Sequence, residues 1–377
     1  MKMRMIFTEN AHGIHRMKSI NGDYIFPEGS AFFFEFRDVD SGELSDLYRL
    51  AAESIFEISD RHHQKLLLRL LRPDLLFKSD FTDFSPAVRR ELLRIKKFFT
   101  PQEKKAWPLK HGSLNWLSGP LVMGIVNVTP DSFSDGGRYF DPTAAMEHAR
   151  RLIDEGSDVL DIGGESSRPG AEPVTAGEEL RRVIPVIEGI RRFSDIPLSI
   201  DTYKSTVARA ALDAGADIIN DISGTEFDVQ MAELVKEKRC PIVIMHMKGQ
   251  PKTMQDAPEY GEVVTEVYDY FEKKIKHLSS LNDGQIILDP GIGFGKRLEH
   301  NLSLIRQMRD FTFWGYPLLT GISRKSFLGE FLGLNVDERK HASKYVELIT
   351  LMKGSSMIRT HDVREVVQIR KLFRALF

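Results

Sequence analysis

LVMGIVNVTPDSFSDGGRYFDPTAAMEHARRLIDEGSDVLDIGG, residues Leu121–Gly164, holds one complete structural unit. It opens on an apolar, β-branched run of strand length, Leu121–Asn127. A polar loop containing Gly136-Gly137 follows. Then comes Thr143–Glu155, where Ala144, Ala145, His148, Leu152 and Ile153 recur at helical spacing. Gly156 is placed to cap that helix, and Val159–Gly163 is a second apolar run. Strand, helix, strand in this order predicts two parallel strands joined by a helical crossover.

The same rhythm continues to the end of the chain. Further strands are expected at Leu198–Asp201, Ile218–Asp221, Ile242–Met245, Ile286–Asp289, Leu318–Gly321 and Met357–Arg359, and the segment after Gly177 repeats the helix with Leu180, Val183, Ile184 and Ile187. Eight strand–helix units predict an α/β fold of the (β/α)8 TIM-barrel type. An open, doubly wound sheet is the competing architecture, with fewer strands and its ligand residues near one crevice. The stretch His111–Pro120, with Leu114, Trp116 and Leu117, reads as a hairpin that could plug the barrel's N-terminal mouth.

Before residue 106 the character differs, with half of the phenylalanines and few glycines. Residues 1–105 are expected to form a small N-terminal α+β or helical appendage, and 106–377 the barrel. Within the appendage, Ala31–Phe36 suggests a strand, and Leu47–Ile58, Gln64–Leu71 and Glu91–Phe99 suggest amphipathic helices, with Pro73 ending the second. His62-His63 falls in a charged helical stretch and reads as a solvated face rather than a metal site.

At 377 residues, with 42% hydrophobic and 28% charged, the chain suits a globular protein with a sizeable core. A net charge of −2 argues against a polyanion partner such as nucleic acid. The N-terminus lacks the apolar core of a secretory signal, and no run approaches the ~20 apolar residues that cross a bilayer. One cysteine, Cys240, excludes an internal disulfide. A cytoplasmic protein with no membrane partner is expected.

In a barrel the strands' C-terminal ends build the active site. Here they run into Asn127, Gly163-Gly164-Glu165, Asp201, Asn220-Asp221, His246, Asp289, Ser323–Ser326 and Arg359–Asp362. Asp221 could instead cap the next helix. Late cations (Lys325, Arg359, His361) face carboxylates from mid-chain (Asp201, Asp289), which suits a ligand with an anionic end and a heterocycle rich in N–H donors. Two loops, Thr129–Tyr139 and Ser166–Pro173, have the length and glycine content of lids. Unaided, these residues point to a barrel enzyme for a phosphorylated or pyrophosphorylated polar heterocycle. GIGFGK at Gly291–Lys296 lacks the spacing of a nucleotide-binding loop. Thr360-His361-Asp362 with Asp289 is a weak metal signature. Phe294 could be core or pocket, and Cys240, at a strand's start, reads as a buried structural thiol.

VMGIVNVTPDSFSDGG at Val122–Gly137 and DIGGESSRPGAEPV at Asp161–Val174 resemble the two signature segments of dihydropteroate synthases. DTYK at Asp201, NDISG at Asn220, MHMKGQPKTMQ at Met245, LDPGIGFGK at Leu288, GISRKS at Gly321 and IRTHDV at Ile358 follow in the family's order and cover nearly all of residues 110–377. The resemblance implies an enzyme of folate synthesis that joins a pterin pyrophosphate to 4-aminobenzoate. Asp201, Asn220, Asp289 and Lys325 would hold the pterin. Asn127, Arg359 and His361 would hold the pyrophosphate, with Mg²⁺ bridging it at Asn127. Phe133, Ser167, Pro169, Phe294 and Ser326 would shape the aminobenzoate site. Asp201, Lys325, Asp135 and Arg168 would serve catalysis, the last two from the mobile loops. A homodimer is implied, although Lys344 and Tyr345 stand where the family's packing helix has small residues. A methyltetrahydrofolate-dependent methyltransferase would share the Asp and Asn anchors but needs neither signature loop. A degenerate pterin-binding regulator is a further alternative.

Overall fold

The computed structural model describes residues 1–7, 19–20, 23–24, 32–62, 65–99, 106–129, 142–167, 170–282 and 284–376. The chain divides into two compact units. One is Met1–Glu103 with Arg309–Gly315; the other is Lys104–Met308 with Tyr316–Phe377.

In the second unit, eight strands lie parallel: β1 (Leu121–Asn127), β2 (Val159–Gly163), β3 (Leu198–Asp201), β4 (Ile218–Asp221), β5 (Ile242–Met245), β6 (Ile286–Asp289), β7 (Leu319–Thr320) and β8 (Met357–Thr360). Their order is β6-β5-β4-β3-β2-β1-β8-β7, and a parallel bridge between Leu288 and Leu318 joins the two ends. The sheet is therefore a closed (β/α)8 barrel, and the open doubly wound alternative is excluded. Helices Pro142–Asp154 and Ala176–Arg191 bury one face each: Ala145, Ala149 and Leu152 in the first, Val183, Val186 and Ile187 in the second. Gly156 ends the first at φ +100°, a backbone that a side chain would strain.

The floor of the barrel is apolar. Met123, Val159, Ile218, Val243, Ile287, Leu319 and Met357 pack together around Leu114, which the hairpin of Trp107–Pro108 and Ser113–Leu114 inserts from below. Trp107 and Trp116 flank it with ring centroids 4.2 Å apart. Polar contacts clasp the hairpin: the backbone N–H of His111 donates to Asp217 Oδ1 (2.9 Å) and its Nδ1 lies 2.9 Å from the same oxygen. Arg191 and the Leu198 N–H occupy Asp217 Oδ2 at 2.6 and 3.0 Å.

The first unit is a four-stranded antiparallel sheet, ordered Lys2–Phe7, Phe32–Arg37, Lys65–Leu70, Phe56–His62, with helices Ser41–Ala52, Pro73–Lys78 and Pro86–Phe99. Phe32, Phe34 and Phe36 alternate into its core. Phe34 meets Phe56 edge-on (5.9 Å), and Phe313 lies 5.3 Å from Phe98, so the segment Arg309–Gly315 lends an aromatic ring to this unit.

Two helical expectations fail here. Where a helix is expected over Gln64–Leu71, Lys65–Leu70 is a strand, because Leu66, Leu68 and Leu70 are buried between exposed Lys65 and Arg69, a period of two rather than 3.6. The helix expected over Leu47–Ile58 stops at Ala52, and Phe56–His62 is the strand paired with Lys65–Leu70. His62 thus ends a strand, and His63 lies outside the described residues. Pro73, expected to end a helix, begins one, where its missing N–H costs nothing.

Candidate active site

Successive strand residues point alternately into and out of a barrel. Two residues beyond the apolar floor, the inward positions become Ile125, Asp161, Asn220, Met245, Asp289 and Arg359. The barrel's interior thus changes from hydrocarbon to charge within one layer. Above that layer lies a cavity of about 960 Å³.

All four expected pterin residues, Asp201, Asn220, Asp289 and Lys325, line this cavity. So do Asn127, Arg359 and His361 of the pyrophosphate set, and Ser167, Phe294 and Ser326 of the aminobenzoate set. Phe133, Asp135, Arg168 and Pro169 fall outside the described residues.

Burial dominates the electrostatics. It pushes the Asp201 carboxyl up to about 7, with Arg359 opposing the shift and Asp161 adding to it. It pushes the Lys325 ammonium down to about 7 against the pull of Asp289, whose own carboxyl is raised by burial and drawn back by Lys325. Oppositely shifted groups in one cavity are what acid–base or ion-binding chemistry requires. Lys325 Nζ donates to the Ile292 carbonyl and sits 4.1 Å from the Phe294 ring centroid, a cation–π contact that gives Phe294 a role in the pocket.

Arg359 is held by two carboxylates: its Nε donates to Asp161 Oδ2 (2.6 Å) and its Nη2 to Asp201 Oδ2 (2.7 Å). Burial opposes its charge, but those carboxylates more than offset this and raise its pKa. His361 Nδ1 lies 3.0 Å from Ser323 Oγ, tying the loops after β7 and β8 together. Arg324 adopts φ +57°, a strained backbone for a side-chain-bearing residue, and Ser343 Oγ accepts its N–H at 2.8 Å.

The family described as pterin binding enzyme matches residues 123–361. A curated relative from Synechocystis, named dihydropteroate synthase, is 40% identical over 291 residues, covering 76% of this chain and 99% of the relative. A Yersinia pestis dihydropteroate synthase, solved with a sulfonamide drug complex, superposes with TM-score 0.68 at 39% identity, over 72% of this chain and 98% of that one. The Xanthomonas albilineans enzyme in complex with 7,8-dihydropteroate gives TM-score 0.64 at 38% identity, over 71% and 98%. The chain belongs to the dihydropteroate synthases, within the pterin-binding enzyme family.

Against that family's signature segments, several open readings resolve. Asp221 accepts from the Ser223 N–H (2.8 Å), Ser223 Oγ (2.7 Å) and the Thr225 N–H (2.8 Å), so it caps a turn and does not line the cavity. GIGFGK is not a phosphate cradle. Lys296 Nζ turns inward, donates at 3.0 Å to the carbonyls of His246, Gly291 and Phe294, and lies 3.0 Å from His246 Nδ1. Gly291 is at φ +65° and a Cβ there would lie 2.0 Å from the His246 carbonyl oxygen, so only glycine fits. Burial pushes the Cys240 thiol up to about 12, which leaves it inert. No group of three or more His, Cys, Asp or Glu suited to a metal occurs among the described residues. Thr360 and Asp362 instead meet Lys344, whose Nζ lies 3.1 Å from Thr360 Oγ1 and 3.5 Å from Asp362 Oδ2.

Two site features escaped the sequence reading. Asp161 stands inside the second signature segment, and the period-two pattern of β2 was the signal that would have turned it inward. Glu165 accepts from Tyr203 Oη (2.7 Å) and from Lys204, which also reaches Glu179 (2.5 Å). These pairs anchor the loop after β2 to the DTYK segment. Nothing in their separate sequence positions announces the meeting.

Proposed function

We propose that this chain condenses 6-hydroxymethyl-7,8-dihydropterin pyrophosphate with 4-aminobenzoate, giving 7,8-dihydropteroate and pyrophosphate. The observation that carries the reading is one cavity that holds Asp201, Asn220, Asp289 and Lys325 beside Arg359 and His361. Carboxylates and an amide suit the N–H-rich edge of a pterin, and the two basic side chains suit its pyrophosphate. Asp289 accepts from the amino-pyrimidinone edge, while Asn220 and Lys325 complete the ring's contacts. Arg359, His361 and Asn127 take the pyrophosphate.

The C–O bond to pyrophosphate breaks first and leaves a resonance-stabilised cation on the pterin. The amine of 4-aminobenzoate then attacks the exocyclic methylene and loses a proton. Asp201, as a carboxylate, stabilises the developing positive charge. Ser167, Phe294 and Ser326 shape the aminobenzoate pocket with Phe133 and Pro169. Asp135 and Arg168 act from the loops that exclude water.

Mg²⁺ fits as an ion carried with substrate. Asn127, which lines the cavity and offers a side-chain carbonyl oxygen, would hold it. When bound it neutralises the leaving group's charge.

The protein acts as a cytoplasmic homodimer. Among the described residues no helix is long and apolar enough to cross a membrane. Phe331, Leu332, Tyr345 and Ile349, 60, 51, 70 and 42% exposed, are apolar side chains that a second copy would cover. Residues 1–105 take no part in the chemistry, which resides in 106–377. The test is an assay with the pterin pyrophosphate and Mg²⁺, with and without 4-aminobenzoate. Dihydropteroate dependent on both substrates is expected. Pterin binding without product, by folded protein, would overturn the reading.

A further inference from the structure

Asp161 occupies the inward layer directly above the apolar floor, where barrels ordinarily place hydrocarbon. It is fully buried. A carboxylate there is costly unless its partners compensate it. Its Oδ2 accepts from Arg359 Nε (2.6 Å) and from Asn220 Nδ2 (2.9 Å), while its Oδ1 has no hydrogen-bond partner among the described residues. One oxygen therefore joins two side chains that line the cavity, from β8 and β4, and the carboxylate itself stays beneath the lining. Stability alone would have favoured satisfying both oxygens.

Arg359 has a second partner, Asp201, reached through Nη2 (2.7 Å). Asp201 and Arg359 both face the cavity, so a ligand that uses either one competes with their mutual bond. Asp161 is out of a ligand's reach and keeps its hold on Nε.

We propose that Asp161 is a positioning residue. Its buried carboxylate retains Arg359 by Nε and Asn220 by Nδ2 when the pterin pyrophosphate breaks the Arg359–Asp201 bond. This rests on the function proposed above and deepens it. Without the Asp161 charge, Asp201 is the carboxylate still hydrogen-bonded to Arg359, and Arg359 closes onto it. The two groups then block each other, and the acceptor that aims Asn220 is left uncharged and weaker. Around Asp201 the charged groups are Arg359, Asp161, Glu179 and Asp221. Of these, Asp161 raises its proton affinity and Arg359 lowers it, so losing the first and tightening the second both drive it down.

The test compares wild type with Asp161→Asn, which preserves shape and removes charge. First, wild-type turnover is measured. Its absence would count against the proposed function, and the comparison then passes to calorimetric titration of both proteins with 6-hydroxymethylpterin and with inorganic pyrophosphate. With turnover present, Asp161→Asn is expected to raise KM for the pterin pyrophosphate at least tenfold and KM for 4-aminobenzoate less than threefold. The acid limb of kcat/KM for the pterin substrate is expected to move to lower pH. In the calorimetric arm both ligands are expected to weaken. An equal fall for both substrates with an unmoved acid limb, or unchanged ligand affinities, would overturn the proposal. If Asp161→Asn does not fold, Asp161→Ser carries the same comparison.

Discussion

The two ends of the same eight strands treat buried charge in opposite ways. Below the apolar floor, Asp217 is sealed from solvent, and its two oxygens take contacts from His111, Arg191 and the Leu198 backbone. Above the floor, Asp161 leaves an oxygen without a partner among the described residues, Asp201 has a carboxyl pushed up to about 7, and Lys325 an ammonium pushed down to about 7. The lower end spends its polar groups on holding the plug. The upper end keeps groups in unfavourable states that a ligand can relieve. For these charges, satisfied burial goes with stabilising the plug, and incomplete satisfaction goes with the cavity.

Four experiments break or sharpen that contrast. Largest is the loss at the upper end. Asp289→Asn or Lys325→Ala leaves a buried charge without its counterpart, and pterin affinity measured by calorimetry is expected to fall by on the order of 10²–10³-fold. Tight retention of pterin by either variant would remove these residues from the ring site.

At the lower end, Asp217→Ala strips Arg191 of its hydrogen-bonded carboxylate. It is expected to cost about 3 kcal/mol of stability and to lower the melting temperature by roughly 5–10 °C. The kcat well below that temperature should stay close to wild type. A large fall in kcat with an unchanged melting curve would erase the distinction between the ends.

The third effect is smaller and depends on pH. Asp201 is raised from 3.8 to about 7, so the folded chain binds more protons than the unfolded one between those values. Its contribution to stability is full below about pH 4 and is lost as pH rises through about 7. Lys325, lowered from 10.5 to about 7, behaves in the other sense: its contribution is present above about pH 10.5 and lost as pH falls through about 7. Asp201→Asn should therefore gain melting temperature relative to wild type as pH rises from 4 to 7, while losing turnover. A constant difference across that range would show that the carboxyl titrates normally.

The smallest change in kcat is expected from deleting residues 1–105. Phe311 and Phe313 belong to the first unit's core, so the truncated chain should melt at lower temperature and aggregate sooner. Dihydropteroate formation by the soluble fraction should persist. A folded, soluble truncation without turnover would place part of the site in the appendage.

Most of the barrel was legible because its strands are short, β-branched and separated by helices with a clear period. Seven of the expected strand starts coincide with the observed ones, and β7 differs only by Leu318, which forms the closing bridge. The appendage was less legible. KLLLRL offers leucines at both helical and strand spacings, and only pairing with Phe32–Arg37 and Phe56–His62 makes the alternate leucines a buried face.

For the site, Asp201, Asn220, Asp289, Lys325 and Arg359 could be picked out as polar ends of apolar runs. The sequence also determined the strand–helix alternation, and hence the parallel barrel, because those depend on local periodicity and on the short range of turn chemistry. Tertiary structure alone decided which charges meet. The Asp161–Arg359 contact spans 198 residues, and the Lys204–Glu165 anchor spans 39. A carboxylate's burial and partners come from strands that only barrel closure makes neighbours, so the same Asp at a strand end becomes a cap at Asp221, a clasp at Asp217 or a shifted acid at Asp201.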